Sequence, residues 1–142
     1  MNDTLPTPIE VIPHRPPFLF LDRVLVCSPQ RIVAERTFHA DESFFQGHFP
    51  GAPIVPGVIL LEGLAQAMAY GVLLRGAGGK VLLTGLDRAR FRHPVLPGDT
   101  VTFEVVPERT LLNVTTASGT VRVGDRVVAT ATVKGYLGQV TG

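Results

Sequence analysis

The stretch Pro56-Gly57-Val58-Ile59-Leu60-Leu61-Glu62-Gly63-Leu64-Ala65-Gln66-Ala67-Met68-Ala69-Tyr70-Gly71-Val72-Leu73-Leu74 reads as one long helix. Pro56 suits a first helical turn, and Gly76, Gly78 and Gly79 mark the end. The segment is apolar on all faces. A surface helix would show a polar stripe, so this one is expected to be wrapped by other structure or by a second copy of the chain. Its length approaches that of a membrane span. Glu62 and Gln66 in its middle, three internal glycines and the lack of a flanking basic cluster argue instead for a buried helix and no span.

On the N-terminal side, Phe18 to Val26 suggests a first strand, and Arg31 to His39 alternates as a second, joined through a turn at Cys27 to Gln30. Asp41 to Gly57 is so rich in Gly and Pro that it must be an ordered loop. Beyond the helix lie four β-rich segments, Lys80 to Phe91, Asp99 to Arg109, Leu111 to Val123 and Arg126 to Tyr136, with a tight turn at Gly124-Asp125. Two strands, a buried helix and four strands predict an α+β fold, an antiparallel sheet curled around one central helix.

The 142 residues match one domain, 1–142. With 45% hydrophobic and 18% charged residues, disorder is excluded as the main state. A net charge of +1 without any run of like charges offers nothing for nucleic acid or a membrane surface. Cys27 stands alone, so neither an internal disulfide nor a cysteine metal cluster is available. Met1 to Val11 lacks the basic and apolar regions of a signal peptide, from which a cytoplasmic protein is expected.

Three features carry chemistry. Glu62 is the only side chain charged at neutral pH between Gly51 and Leu74. A carboxylate in such surroundings is costly unless paired, protonated or useful, and desolvation favours its protonated form. A solvent-facing or structural carboxylate is the bland alternative, but the helix offers no polar face for it. His48 sits in the rigid frame Phe44-Phe45-Gln46-Gly47-His48-Phe49-Pro50-Gly51, whose loop feeds into the helix bearing Glu62. Together they would make an acid/base pair. His14, His39 and His93 read as structural. At the helix start, free N–H groups around Gly57 can polarise a carbonyl oxygen. No dinucleotide or phosphate loop, no HExxH and no GxSxG elbow occurs, leaving acid/base chemistry with neither cofactor nor metal.

These segments, with Ile12-Pro13-His14-Arg15-Pro16-Pro17-Phe18-Leu19 and Phe91-Arg92-His93-Pro94-Val95-Leu96-Pro97-Gly98-Asp99, resemble the FabZ-type (3R)-hydroxyacyl-[acyl carrier protein] dehydratases in order through nearly the whole chain. The resemblance implies a hot-dog fold, dimerised so that two sheets become continuous, with dimers assembling into hexamers. It implies a site shared between copies, His48 from one and Glu62 from the other, at the mouth of an apolar tunnel. His48 would take the α-proton of a β-hydroxyacyl thioester, Gly57 would polarise its carbonyl, and Glu62 would protonate or orient the departing hydroxyl.

Gln66, at i+4 from Glu62, can hydrogen-bond it or serve as a packing amide. Phe18, Phe49, Val58, Leu61 and Phe91 are candidates for the tunnel wall or for ordinary core. Arg75, Lys80, Arg88, Arg90 and Arg92 could receive an acidic carrier protein or form a solvated face. Where the family commonly has Tyr, Lys or Arg, Met and Gln, this chain has Pro16, Ala52, Val55 and Leu60, with the acid/base pair intact. Glu rather than Asp at 62 points to the dehydratase branch without isomerase activity. A related dehydratase or thioesterase of specialised lipid or polyketide metabolism, and a non-catalytic acyl-binding module, are the competing readings.

Overall fold

The computed structural model describes residues 4–76 and 79–138. A short helix α1 (Pro8–Val11) precedes the hairpin β1 (Arg23–Ser28) and β2 (Arg31–Thr37). After the Gly/Pro loop, which contains one 3-10 turn at Ser43–Gln46, come α2 (Gly57–Arg75), β3 (Lys80–Phe91), β4 (Thr100–Leu111), β5 (Val114–Val123) and β6 (Arg126–Gly138). The strands form one antiparallel sheet in the order β1-β2-β4-β5-β6-β3, and α2 touches all six. This is the α+β hot-dog arrangement, a sheet wrapped around one helix.

Period-two alternation sets which side of each strand meets the helix. In β4, Val101, Phe103 and Val105 are fully buried while Thr102 and Glu104 are not. The register carries one core row across the sheet, Ala34 beside Phe103, Phe103 beside Val121, Val121 beside Ala129, ending at Phe91 on the outer strand. Gly63 lets α2 lie directly on that row. A Cβ there would stand 2.2 Å from the Phe103 ring.

From Leu60 to Leu73 every residue of α2 except Glu62 and Val72 is buried. The sheet alone does not account for this. Ile12, Phe20 and Leu21 join the core around the helix, and the Tyr70 hydroxyl donates to the Pro6 carbonyl at 2.7 Å. Of the two covers expected for the helix, other structure or a second copy, the chain's own N-terminal segment supplies the first. That covering also bears on the membrane question: among the described residues one helix is long and apolar enough to span, and about two thirds of it is buried inside the fold.

The same packing displaces the first strand. Phe18 to Leu21, expected to open it, is not part of the sheet, and β1 starts at Arg23. The Phe20 N–H and Phe18 carbonyl bond to Gln66 rather than to a neighbouring strand. The second strand ends at Thr37, not His39. The β4–β5 break lies at Leu112-Asn113 instead of Thr110, because both residues adopt positive φ (52° and 66°), the two-residue turn that matches strand twist. The Gly124-Asp125 turn stands, with Gly124 at φ 60°. Of the glycines expected to end the long helix, Gly76 is its C-cap, and Gly78 lies outside the described residues.

Candidate active site

His48 is positioned by a folded loop, not by a helix or strand. Its N–H and that of Gly47 both donate to the Phe44 carbonyl (3.1 and 3.2 Å), its carbonyl accepts from Ile54 N–H at 2.9 Å, and Ala52 N–H closes the turn onto Phe49. Val55 N–H donates to Val95 at 2.8 Å, tying this loop to the segment after β3. Phe49 stacks on the imidazole with centroids 4.1 Å apart. The ring Nδ1 lies 3.2 Å from the Ile54 carbonyl, an acceptor only. For a neutral ring this contact assigns the proton to Nδ1, leaving the Nε2 lone pair free to take another.

The loop delivers the chain into α2 through Pro56, whose φ of −57° suits a helix entrance. In the first turn the Ile59 N–H donates to the Pro56 carbonyl at 3.0 Å, while the Gly57 and Val58 N–H groups have no intrahelical acceptor. They open on a cleft of about 440 Å³ lined by Ile54, Val55, Gly57, Val58, Leu60 and the stretch Phe91 to Val95. Phe91 roofs Gly57 so closely that a Cβ there would lie 2.7 Å from its ring. Gly57 is thus required for space.

Glu62 is held differently. Gln66, fully buried one turn on, donates Nε2–H to Glu62 Oε2 (3.0 Å) and to the Phe18 carbonyl (3.1 Å), while its Oε1 accepts from Phe20 N–H at 2.8 Å. Both donors and the acceptor are used, so the amide clamps the carboxylate to the N-terminal segment. His14 Nε2 lies 3.7 Å from the same Oε2, beyond hydrogen-bond range. Burial pushes the His14 pKa down, with Arg15 adding to the fall and Glu62 opposing it. Glu62 and His14 share a hollow of about 140 Å³ with Ala65, Met68, Ala69 and Val81 to Leu83.

Among the described residues, no hydrogen bond or ion pair joins His48 to Glu62, and the two hollows share no lining residue. Of the tunnel candidates, Val58 and Phe91 line the cleft at the helix start and Phe49 stacks on His48. Phe18 packs edge-on against Phe20, beside the Gln66 clamp, and Leu61 belongs to the core. The five cations do not form one patch. Arg92 lines the cleft, with Arg90 beside it on β3. Arg75 and Lys80 sit at the opposite end of α2, roughly 27 Å away at helical rise. Arg88 faces a polar hollow with Asp87 and Glu108. His14, in the Glu62 hollow, and His93, in the Gly57 cleft, are site-lining residues that the sequence reading took as structural. Nothing in local pattern connects position 14 to position 62.

A loop-held imidazole, an open helix N-terminus and a clamped carboxyl thus lie in one hot-dog domain. The FabA-like domain family model matches residues 12–132. The 3-hydroxyacyl-[acyl-carrier-protein] dehydratase FabZ of Symbiobacterium thermophilum is 47% identical over 129 residues, 89% of this chain and 91% of that protein. The protein of the same name from Escherichia coli O9:H4 is 44% identical over 132 residues, covering 88% and 86%. Among solved structures, the ApeI:P dehydratase heterocomplex from Xenorhabdus doucetiae superposes with a TM-score of 0.84 at 16% identity, covering 95% of this chain and 93% of that one, a likeness of fold. The chain belongs to the FabA-like family, among its FabZ-type dehydratases.

Proposed function

We propose that this chain removes water from (3R)-hydroxyacyl-[acyl carrier protein] to give the trans-2-enoyl thioester in fatty acid biosynthesis, using its own side chains as acid and base. The relatives' activity and the His48 ring support this reading, and the ring carries it: Nδ1 is anchored on Ile54 and Nε2 is left basic. His48 Nε2 takes the α-proton. Negative charge moving onto the thioester oxygen is met by the N–H groups at Gly57 and the positive end of α2. The β C–O bond breaks as Glu62 delivers a proton to the hydroxyl, which leaves as water. Return of the proton from His48 to Glu62 through solvent resets the pair, and no electrons change hands overall.

The separation of His48 from Glu62 within one chain supports a site built from two copies. β3 ends the sheet, with Leu82, Leu83, Leu86 and Phe91 each at least 40% exposed. A long apolar edge strand invites pairing with another strand. Two β3 edges paired antiparallel bring the start of one strand beside the end of the other. Val81 to Leu83 line the Glu62 hollow and Phe91 lines the Gly57 cleft, so this pairing apposes one copy's Glu62 to the other's Gly57 cleft, whose wall includes Ile54, the residue that anchors His48. A cytoplasmic homodimer is the functional unit in this reading, assembling further into a trimer of dimers, with Arg90 and Arg92 at the cleft mouth meeting the acidic carrier.

The test is incubation with β-hydroxyacyl carrier proteins and coenzyme A thioesters of several chain lengths, following enoyl product and free thiol separately. Enoyl product from the carrier substrates, lost in His48→Ala, is the expected result. Thiol release without enoyl product would refute the reading.

A further inference from the structure

We infer that His14 is a positioning residue for Glu62: its imidazole stands 3.7 Å from the carboxyl oxygen that Gln66 holds and, through its ring dipole, steadies the carboxylate that forms when the proton is given up. The inference rests on the dehydratase reading above for its consequence, though not for its geometry.

The two side chains meet across a small hollow that is otherwise apolar. Each is only about one-fifth exposed, and His14 Nε2 stands 3.7 Å from the oxygen that also accepts the Gln66 bond. The other ring nitrogen, Nδ1, is buried without a hydrogen-bond partner. That asymmetry fixes the tautomer of the neutral ring. With the proton on Nε2, an N–H faces the carboxylate. With it on Nδ1, a buried N–H would be orphaned and a lone pair would face a negative oxygen. The segment carrying His14 is itself braced, since Arg15 Nη1 donates to the carbonyls of Ile12 and His14 at 2.9 and 2.7 Å. Ile12 is almost wholly buried in the core beneath it.

A proton donor to the leaving hydroxyl becomes an anion at the moment of reaction. N–H groups aimed at it beforehand stabilise that anion without having to reorganise. Gln66 supplies one such hydrogen bond from the helix, and His14 adds a longer-range electrostatic contact from the N-terminal segment. The charged groups acting on His14 are Glu62, which favours its protonation, and Arg15, which opposes it; burial disfavours the cation more than either. The ring therefore works as a neutral donor.

Two measurements test this together. In the first, ring resonances of the histidines are titrated by NMR in the wild type and in Glu62→Gln, read without reference to turnover. His14 is expected to titrate below the ordinary histidine range and to move lower still in Glu62→Gln, where the favourable charge is gone. In the second, His14→Ala is expected to lose about tenfold in kcat with KM little changed, the scale of one close electrostatic contact in a partly buried site. His14→Gln, which keeps an N–H at the same reach, is expected to recover most of that loss.

A His14 resonance indifferent to Glu62→Gln overturns the pairing. Equal losses in His14→Ala and His14→Gln, tracking a common fall in melting temperature, overturn the positioning role in favour of a structural one. Should His14→Ala fail to fold, wild-type kcat in His14→Gln together with the responsive titration supports the inference, and a tenfold loss in folded His14→Gln overturns it. A wild type that forms no enoyl product while His14 still answers to Glu62→Gln sinks the dehydratase reading, and with it the consequence drawn here, but leaves the pairing standing.

Discussion

Replacing Gln66 by Met keeps the length and approximate volume of the side chain and deletes all three of its hydrogen bonds. Two of these are to neutral backbone groups, Phe20 N–H and the Phe18 carbonyl, and each contributes about 1 kcal/mol; the third, to the Glu62 carboxylate, contributes about 1.5–3 kcal/mol. The new methyl group and sulfur return some of this through packing in a fully buried position. The expected net loss is about 2–4 kcal/mol. For a domain of this size that corresponds to a melting temperature lowered by about 8–16 °C. Urea unfolding followed by circular dichroism gives the free energy, and turnover measured on the folded variant gives the second consequence. With Glu62 no longer clamped, kcat falls while the Gly57 cleft, and so KM, changes little. Gln66→Glu, which keeps an acceptor for Phe20 but brings a second carboxyl toward Glu62, is expected to be at least as destabilised at neutral pH. A loss below about 1 kcal/mol in Gln66→Met would refute the clamp as a structural element.

Gly57→Ala sets a methyl group against the Phe91 ring, so kcat/KM is expected to drop at least about tenfold, with stability falling by about 1–3 kcal/mol; Phe91→Ala in the same chain should relieve the crowding, which steady-state kinetics on both would reveal. The Tyr70 hydroxyl, donated to Pro6, has its pKa pushed from 10.0 up to about 12, chiefly by burial and further by Cys27 and Glu10. The folded state then keeps a proton that the unfolded state releases. Stability from this group is complete below pH 10 and declines as the pH rises toward about 12, so the urea midpoint at about pH 11 should lie below that at about pH 9. Tyr70→Phe should cost about 1 kcal/mol at neutral pH and remove this part of the alkaline decline.

The sheet and the helix were legible because their signals are local. Alternation in β4 and the apolar residues from Leu60 to Tyr70 report the same burial that the fold shows. His48 and Glu62 stood out for the same reason, as polar groups in surroundings that make them conspicuous. The misreadings have a common physical origin. Phe18 to Leu21 is apolar and β-like, yet its backbone bonds to Gln66, 46 and 48 residues away. That long-range amide turned an expected strand into a cover for α2 supplied from within the chain. Helical spacing revealed only the Glu62 end of the clamp. His14 was invisible for a related reason, since its proximity to Glu62 depends on how the N-terminal segment folds back. Nor could charge alone divide the cations, which α2 separates between its two ends.

The claim that an acid and a base from two copies make one site is tested most directly by mixing two inactive variants. His48→Ala and Glu62→Gln are purified separately, each expected to lose at least about a hundredfold in dehydration of a β-hydroxyacyl carrier protein. They are then exchanged into mixed dimers. Random reassortment makes half the dimers mixed, and each mixed dimer regains one intact site of two, so activity should return to about a quarter of the wild-type value. Mixing that restores nothing, or a Glu62→Gln protein that turns over near the wild-type rate by itself, would contradict the account.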